Sequence, residues 1–403
     1  MAGGKKKPAV RLRGCFADLH VHIGRSEDGR PVKISGSRNL TFRNIAKEAS
    51  ERKGIELIGV IDCHSPAVQA DIAECLRSGE MEELPDGGIR YRGTTLLLGA
   101  EMEVKEEGGG PFHLLGYLPN LEAMRDWTAW MTPRVTNVVL SSQRVRATAR
   151  ELQDELTARG GILVPAHVFT PHRGLLGCSA DRVADRLDPE RVAAIELGLS
   201  ADTEMAGRLS EMDRYAFLTN SDAHSPGMIG RECNELLLAE PSFREFAKAL
   251  ANEEGRRILA NYGLHPQLGK YHETSCARCR RAVPEARAEE LGACPHCGSA
   301  RLTRGVSGRV RQLADRKRSK QPAHRPPYRP QVPLSFFPGL GPAKRDRLFA
   351  EVGTEMDVLH RVPKEAIASV TGEKIAELIV RARDGKAAFA SGSGGTYGRI
   401  IHS

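Results

Sequence analysis

Residues that bind metal ions recur in the first two thirds of the sequence, in or near the ends of short apolar runs. The stretch "FADLHVHIG" (residues 16–24) carries Asp18, His20 and His22 at alternate positions. Because alternate side chains of a β-strand point to the same face, these three groups share one side of the strand. Imidazoles and carboxylates in this arrangement suit zinc, manganese or iron. The stretch predicts a metal site in which both histidines are ligands and Asp18 orients one of them.

Similar residues accompany six further apolar runs. The seven candidate strands are "CFADLHVH", "IELIGVIDCH", "TTLLLGAEMEV", "FHLLGYL", "GILVPAHVF", "AAIELGL" and "YAFLTNSDAH". Their further metal-type residues are Asp62, His64, Glu101, His113, His167, Glu196, Asp222 and His224. A single histidine at such a position is more often a hydrogen-bonded residue of the core or surface. Repetition over so many runs favours a centre for two or three divalent ions at the C-terminal ends of parallel strands.

Helical patterns lie between several of these runs. They are "TFRNIAKEASERKG", "VVLSSQRVRATARELQDELTARGG" and "TEMAGRLSEMDRY". Thr41 and Thr203 are expected to cap the starts of two helices, and Gly54 and Gly160 to end two. The alternation of strand and helix over residues 14–260 predicts an α/β layer or barrel.

The ordered motifs "DLHVH", "IDCH", "GAE", "FH", "PAH" and "NSDAH" resemble those of the PHP (polymerase and histidinol phosphatase) domain. The resemblance covers about residues 14–260 and implies a distorted (β/α)7 barrel with a trinuclear metal centre. It implies three ligand sets. They are His20, His22, Glu101 and Asp222 for one ion, Glu101, His113 and His167 for the second, and His64 and His224 for the third. Asp62 is a further expected ligand. Asp28 stands where many members of the family have a histidine, which a carboxylate can replace.

Two CxxC pairs follow the barrel, "CARC" with Cys276 and Cys279 and then "CPHC" with Cys294 and Cys297. This is zinc-ribbon spacing and predicts one structural Zn²⁺ on four thiolates. A redox pair is the competing interpretation, although a thiol oxidoreductase does not need two paired knuckles. A structural metal lets a segment with few apolar residues fold and present cations to DNA phosphates. The expected phosphate contacts here are Arg278, Arg280, Arg281, Arg301 and Arg304.

Two short helix, turn and helix patterns close the sequence. "PGLGPAKRDRL" has the form of a helix–hairpin–helix turn, in which Gly339 and Gly341 let backbone N–H groups meet a phosphate. Lys344 and Arg345 add positive charge, and "VTGEKIAELI" is a candidate partner hairpin. Turns of this type also join helices that bind no ligand, so both interpretations stand. The Gly-rich tail "GSGGTYG" is more typical of a disordered terminus, and any further role for it stays unassigned.

The order of these parts resembles the endonuclease Q family along almost the whole chain. The strings "AHVFTPH", "IELGLSADT" and "LTNSDAHSPGMIGRE" are similar to that family's versions of the metal motifs. The expected domains are a PHP catalytic domain (1–264), a four-cysteine zinc module (265–312), a basic Pro-rich linker (313–332) and a helix–hairpin–helix-like region with the tail (333–403). The resemblance implies cleavage of DNA 5′ to uracil, hypoxanthine, xanthine or an abasic site, leaving 3′-hydroxyl and 5′-phosphate ends.

Charge favours an anionic partner. The chain has a formal net charge of +8 and a pI near 9.0. Residues 270–330 alone hold 15 basic and 5 acidic residues, a larger excess than that of the whole chain. Nucleic acid is the first expected partner, as double- or single-stranded DNA with a damaged base, and an acidic membrane surface the second. Without an apolar leader or spanning segment, the protein is expected in the cytosol, with the nucleoid in a prokaryote. A replication clamp stays open as a partner.

The chemistry expected of this inventory is metal-assisted hydrolysis of a phosphodiester by two to three ions of Zn, Mn, Mg or Fe, without a covalent nucleophile. Asp222 and Glu101 are the expected catalytic carboxylates, and His172, Arg173 and Arg231 are candidate phosphate contacts. Lesion choice would come from base flipping. Three alternatives remain. They are a PHP phosphatase of small phosphate esters, a DNA-binding protein without catalysis, and a 3′ exonuclease without lesion specificity.

Overall fold

The computed structural model describes residues 11–386, 388–390 and 399–401. Its strands are β1 (Arg13–Val21), β2 (Leu57–Val60), β3 (Glu82–Glu83), β4 (Ile89–Tyr91), β5 (Thr94–Val104), β6 (Phe112–Leu118), β7 (Ile162–Pro165), β8 (Ala194–Glu196), β9 (Ala216–Leu218), β10 (Cys233–Leu238), β11 (Arg257–Gly263), β12 (Ser275–Cys276), β13 (Leu302–Thr303), β14 (Tyr328–Pro330), β15 (Ala388–Ala390) and β16 (Arg399–Ile401). Its α-helices are α1 (Phe42–Lys47), α2 (Pro66–Arg77), α3 (Leu121–Met131), α4 (Ala149–Ala158), α5 (Thr203–Ala206), α6 (Phe243–Ala251), α7 (Glu285–Leu291), α8 (Val306–Leu313), α9 (Pro342–Glu351), α10 (Glu355–His360), α11 (Lys364–Thr371) and α12 (Glu373–Arg383).

Seven strands form a closed ring. β1 pairs with β2, β2 with β5 and β8 with β9 in parallel, whereas β6 pairs antiparallel with both β5 and β7. A hydrogen bond of 2.8 Å from Val168 N to Glu196 O joins the end of β7 to β8. Beyond β9, Ala223 forms a parallel bridge to Val21 of β1, which closes the ring. The antiparallel pairs distort an otherwise parallel barrel, so the expected α/β barrel is confirmed.

β1 lies at the centre of the main sheet, between β2 and β10. β10 continues antiparallel to β11, and β14, from the basic Pro-rich segment, adds to β11 in parallel with Tyr328 opposite Asn261. The same segment packs on the barrel elsewhere, because the guanidinium of Arg325 lies 3.6 Å from the centroid of the Phe217 ring. The Pro-rich segment is therefore part of the folded body and not a free spacer.

Apolar residues at strand and helix spacing build the core. All eleven residues of β5 are buried. Helices α2, α3 and α4 each bury residues about four apart, such as Val68 and Ile72 on α2 and Leu152 and Leu156 on α4. This spacing places one stripe of each helix against the sheet. The barrel therefore gives the strand ends a rigid support.

The helix signals were partly right. Thr41 caps α1 by accepting a hydrogen bond from Asn44 N, and Gly54 follows the π-helical turn Glu48–Lys53 with φ +75°. Thr203 is not a cap, because Asp202 takes that position. The helix expected over residues 138–161 forms only as α4. Its first half is a loop held on the sheet, where Val145 N donates to Glu103 O of β5 at 2.9 Å.

Two smaller parts follow the barrel. The four-cysteine segment is built from the β12–β13 pair with α7 and α8, and the helices α9 to α12 form the second part. Gly372, at φ +86°, makes the turn between α11 and α12 that the second hairpin pattern predicts. Within the described residues, no helix is both long and apolar enough to cross a membrane. The tail "GSGGTYG" lies outside the described residues.

Candidate metal centre and nucleic-acid surface

His20 and His22 are both fully buried at the C-terminal end of β1, and each is oriented by a carboxylate behind it. The Nδ1 atom of His20 lies 3.0 Å from a carboxylate oxygen of Glu196. The Nδ1 atom of His22 lies 3.0 Å from Asp62. A carboxylate on one ring nitrogen fixes the tautomer and turns the other nitrogen toward a metal. The two free Nε2 atoms face each other at 3.3 Å.

Three overlapping groups of potential ligands converge in the centre of the ring. Within each, the ligand atoms lie within 4.8 Å of one another. The groups are His20, His22 and Glu101, then His22, Asp222 and His224, and finally Glu101, His113 and His167. Glu101 and His22 each belong to two groups. Ligand groups that overlap in this way could be shared by neighbouring ions.

The donor geometry fits divalent cations. A metal–nitrogen distance of about 2.0–2.1 Å gives tetrahedral ligands a mutual separation of about 3.3 Å. The Asp222 carboxylate lies 3.4 Å from His22 Nε2 and 3.6 Å from His20 Nε2. The buried Nδ1 of His167 also has no hydrogen-bond partner, and Nδ1 of His113 lies close to the Glu101 carboxylate. A buried imidazole nitrogen that the protein itself leaves without a partner, beside a carboxylate, suits a metal ligand.

Glu101 is the central carboxylate of the site. Its Oε1 lies 2.7 Å from His113 and 3.7 Å from His167. On its other side it accepts from the hydroxyl of Ser142 and from Lys33 Nζ at 3.3 Å. Burial opposes ionisation, but the interactions with His113 and Lys33 outweigh it and hold the pKa of Glu101 well below its usual range. Glu101 is therefore a carboxylate at neutral pH.

The other site pKa values follow the same balance. Burial would lower the pKa of His20, but Glu196 and Asp222 raise it well above the ordinary value. For Asp222, burial is outweighed by His20 and His22, so its pKa is well below the usual range. Burial lowers the pKa of His113 and keeps that imidazole neutral, as a metal ligand must be.

Two of the ligand residues have strained backbones. Asp222 has φ +47° and His167 has φ +30°, a region that residues other than glycine seldom adopt. Such strain costs on the order of 1–3 kcal/mol and persists only where neighbours impose it. Around Asp222 those neighbours include Asp18, which accepts from Ser221 N at 3.1 Å and from Gly230 N at 2.8 Å. Asp18 thus supports the backbone of the Asp222 loop and orients neither imidazole ring.

Several predicted residues lie apart from the ligand groups. Asp28 is half exposed and paired with Arg30 at 2.8 Å. His64 donates through Nε2 to Leu140 O at 3.2 Å. Arg231 is buried and donates through Nε to the Ser221 carbonyl at 2.9 Å, so the structure places it beneath the Asp222 loop and not at the mouth of the site. Asp62 lies behind His22. Spacing along the sequence could not separate Asp62 and His64 from the ligands, because both stand in the motif "IDCH".

A cavity of about 230 Å³ opens over the ligand groups. Its wall includes residues that the sequence analysis named, His172 and Arg173, and residues that it did not, Lys33, Lys270 and Tyr271. The rings of His172 and Tyr271 lie edge to face with centroids 5.4 Å apart. Lys270 and Tyr271 follow the barrel in sequence, and only their basic and aromatic types in a basic segment hinted at this position. The segment leading to the cysteines therefore completes the cavity.

The four cysteines form the second candidate metal site. Cys276 and Cys297 have sulphurs 3.6 Å apart, and Cys279 and Cys294 have sulphurs 3.7 Å apart. A disulfide would need about 2.0 Å, whereas a zinc–sulphur distance of about 2.3 Å places tetrahedral sulphurs about 3.8 Å apart. Backbone N–H groups of Cys279 and Arg278 lower the pKa of Cys276 to about 6. The cluster fits Zn²⁺ and does not fit a redox disulfide.

The predicted phosphate contacts lie on exposed surfaces. The five arginines of the zinc segment that were predicted to contact phosphate are all exposed; they are Arg278, Arg280, Arg281, Arg301 and Arg304. Gly341 caps the start of α9, Gly339 before it has φ +80°, and Lys344 is exposed in the first turn of that helix. Arg345 is partly buried. These positions allow contacts to DNA, which remain predictions.

Comparisons with known proteins give one consistent answer, although no family model matches the chain. The Bacillus subtilis protein YqxK is 49% identical over 391 residues, which are 96% of this chain and all of the relative. The crystal structure of the lesion-specific endonuclease PfuEndoQ from Pyrococcus furiosus has a TM-score of 0.83 and 32% identity, covering 96% of this chain and 95% of that one. This chain belongs to the endonuclease Q family.

A second endonuclease Q structure supports the same assignment. It contains a 27-mer duplex substrate with an abasic lesion at the active site, and it matches with a TM-score of 0.85 and 32% identity over 97% of both chains. An archaeal relative from Methanocaldococcus jannaschii, 36% identical over 250 residues, is matched over only 31% of its own length. As an endonuclease Q family member, the protein is a metal-dependent endonuclease.

Proposed function

We propose that this endonuclease Q family member is a DNA repair enzyme that hydrolyses the phosphodiester 5′ to a deaminated base or an abasic site. Uracil, hypoxanthine and xanthine are the proposed bases, and the products are 3′-hydroxyl and 5′-phosphate ends. The observation that carries the proposal is the set of three shared ligand groups beneath a cavity with basic and aromatic walls. The match to endonuclease Q along the chain supports the choice of DNA as substrate.

The catalytic carboxylates would act in ionised form. His20, His22, His113, His167, His224, Glu101 and Asp222 would hold the ions. Divalent ions supply Lewis acidity toward a phosphodiester when bound. Glu101 and Asp222 stay charged at neutral pH because their pKa values are well below the usual range. Lys33, held against Glu101, offsets part of this negative charge beside the cavity.

Cations on the wall would bind the DNA backbone. Lys33, Arg173 and Lys270 line the cavity around the ligand groups. Arg173 is also paired with Glu103 at 2.6 Å, which fixes its position. Phosphate contacts of this kind orient a duplex without reading its sequence. They would place the scissile bond over the carboxylates and imidazoles.

Lesion recognition would occur inside the same cavity. A deaminated base is more easily extruded from the duplex than a normal base, and it exposes a carbonyl where an amine was. The aromatic pair His172 and Tyr271 offers a surface on which an extruded base could stack. Thr170 and Ser200, also on the wall, carry hydroxyls that can donate to a carbonyl. We therefore assign lesion choice to this wall.

End-labelled duplexes test the proposal directly. Each duplex carries one uracil, hypoxanthine, xanthine or abasic site, or none, and is incubated with Mg²⁺, Mn²⁺ or Zn²⁺ and then with EDTA. We expect a single cut on the 5′ side of the lesion that EDTA abolishes. A circular duplex with one lesion should be nicked, which an exonuclease cannot do. Equal digestion of lesion and control strands would rule out the repair function.

Two carboxylate variants provide the matched comparison. Asp222→Asn removes a carboxylate of the ligand groups and should reduce cleavage by at least about 100-fold. Asp28→Asn changes an exposed carboxylate outside the ligand groups and should keep nearly full activity. Full activity of Asp222→Asn would contradict the assigned centre. Cleavage of histidinol phosphate with none of DNA would point to a small-molecule phosphatase.

A further inference from the structure

The loop of residues 225–231 connects the metal centre to the C-terminal helices. It directly follows Asp222 and His224, and it precedes β10. On the inner side, the backbone N–H of Gly230 in this loop donates to the carboxylate of Asp18 in β1. From outside, the loop is contacted by Gln331 of the Pro-rich segment and by Lys53 of the turn Glu48–Lys53. The loop is therefore held from both sides.

Gln331 makes the most direct of these outside contacts. It is 3% exposed, and its Nε2 donates to the carbonyls of Gly230 at 2.8 Å and Arg231 at 3.2 Å. Its Oε1 lies 2.7 Å from Nε2 of His360, at the end of α10. With His360 as donor, both amide hydrogens of Gln331 are directed at the loop. One side chain thus links α10 to two consecutive carbonyls.

A buried ion pair makes the second link. Lys53 Nζ pairs with Glu355 of α10, and both side chains are almost fully buried. The same Lys53 Nζ donates to the carbonyl of Gly227 at 3.1 Å, while Glu355 accepts from Leu334 N at 3.0 Å. Removing one partner of such a pair would leave a buried charge uncompensated. The pair therefore fixes Gly227 relative to α10.

The contacts continue from the loop to Asp222. Arg231, whose carbonyl Gln331 holds, donates through its own Nε to the carbonyl of Ser221. Ser221 is the residue before Asp222, whose φ of +47° needs support from its surroundings. A connected path of hydrogen bonds thus runs from His360 through Gln331 and Arg231 to the backbone that presents Asp222.

We infer that Gln331 is a positioning residue for the metal centre, and that the C-terminal helices complete that centre by fixing the 225–231 loop. This inference rests on the proposed function of the same site. Loosening the loop should lower the affinity for metal and the rate of the chemical step, because Asp222 would leave its ligand geometry part of the time. Affinity for DNA should change little, since Gln331 is buried away from the cavity.

Gln331→Met tests the inference, because methionine keeps the length and removes both hydrogen-bonding groups. We expect a loss of metal affinity of about 10- to 100-fold in chelator competition, and a similar loss in kcat. KM should stay within about twofold. The matched control is Gln321→Met in the same segment, whose amide donates to the carbonyl of Thr203, away from the loop. The control should keep wild-type metal affinity and kcat.

A second variant covers the case in which Gln331→Met does not fold. His360→Phe keeps a ring against Phe16 and Tyr262 and removes only the donor that orients Gln331. It should show a smaller loss of metal affinity in the same direction. Wild-type metal affinity and kcat in a folded Gln331 or His360 variant would overturn the inference and leave the proposed function intact. If the wild-type protein cuts no lesion, the proposed function fails, and metal affinity still decides the role of Gln331.

Discussion

At the scale of single residues, the sequence located the ligands better than it separated them from their supports. Alternation in β1 placed His20 and His22 on one face, and the structure brings both into the ligand groups. Asp62 carries an equally suitable group, yet it lies behind His22. A carboxylate that binds the ion and one that binds the far nitrogen of an imidazole differ in position by only about the length of one side chain. Spacing within one chain does not determine that distance.

Glu196 offers the clearest residue-scale prediction. It is buried, contacts His20 Nδ1 and accepts from Asn220 Nδ2 at 3.0 Å. Glu196→Gln would replace one acceptor oxygen by an amide donor, so either His20 or Asn220 would face a donor. We expect metal affinity to fall by about 10- to 100-fold, measured by chelator competition and by metal content after dialysis.

Glu190→Gln is the control for this change. Glu190 is an exposed glutamate that pairs with Arg214 on the surface. Its substitution should leave metal affinity unchanged. Equal metal affinity in Glu196→Gln and in the wild-type protein would show that Glu196 does not orient His20.

At the scale of elements, the two long strands that carry Glu101 and His113 were predicted well. β5 and β6 have the bounds of the patterns "TTLLLGAEMEV" and "FHLLGYL". The runs of β7, β8 and β9 were predicted too long, because their last residues leave the sheet to present His167 and Asp222 at positive φ. β10 and β11 were not predicted, since they carry no metal-type motif. The metal-type motifs therefore marked the strands that carry them and left β10 and β11 unpredicted.

The zinc segment gives the element-scale prediction. Its small buried cluster consists of Cys276, Val283 and Cys294, which is too little apolar surface to fold without a metal. Cys276→Ser should release zinc and unfold the β12–β13 pair. Hydrogen exchange should show the loss over residues 275–303, and metal analysis should show one zinc fewer per chain.

Cys178→Ser is the matched control, because Cys178 is a partly buried thiol outside the cluster. It should keep the zinc and the exchange protection of residues 275–303. Unchanged protection in Cys276→Ser would mean that the segment folds without its metal. Lost protection there should also reduce cleavage, because Lys270 and Tyr271 of the cavity wall lie just before the segment.

At the scale of the whole molecule, the C-terminal helices pack against the barrel through an aromatic contact. His360 stacks on Phe16 of β1 with ring centroids 5.2 Å apart and lies 4.4 Å from the Tyr262 ring of β11. The sequence predicted helices and hairpins here, but not this packing. A helical sequence pattern predicts which face of a helix is buried, but not the surface against which that face packs. The contact makes α10 part of the body that carries the metal centre.

This contact predicts a dependence of stability on pH. Burial, with the nearby charges of Arg383, Arg361 and Arg329, lowers the pKa of His360 to about 4 from its ordinary value of 6.5. Between these values the unfolded chain binds a proton that the folded protein does not, so the free energy of unfolding falls as the pH drops from about 6.5 to about 4. The full effect is on the order of 3 kcal/mol.

Thermal unfolding of wild-type protein and of His360→Phe between pH 7 and pH 4.5 measures the contribution of His360 protonation to stability. The variant should lose less Tm over that range, because its ring takes up no proton. His324→Asn, at an exposed histidine of the Pro-rich segment, should behave like the wild type. Parallel Tm curves for wild type and His360→Phe would show that His360 does not titrate with unfolding.

The central place of β1 has a consequence for how the chain reaches this fold. Of the described strands, β1 comes first in the order of synthesis, and it can pair with β2 early, since Ala17 lies opposite Leu57. Its other edge pairs with β10, where Ala17 lies opposite Asn234. That edge therefore stays unpaired until more than half of the chain has been synthesised. Such distant pairing slows folding, and an unpaired apolar edge can meet other chains in the meantime. The strand that carries both histidines is thus the one most exposed to misassembly during synthesis.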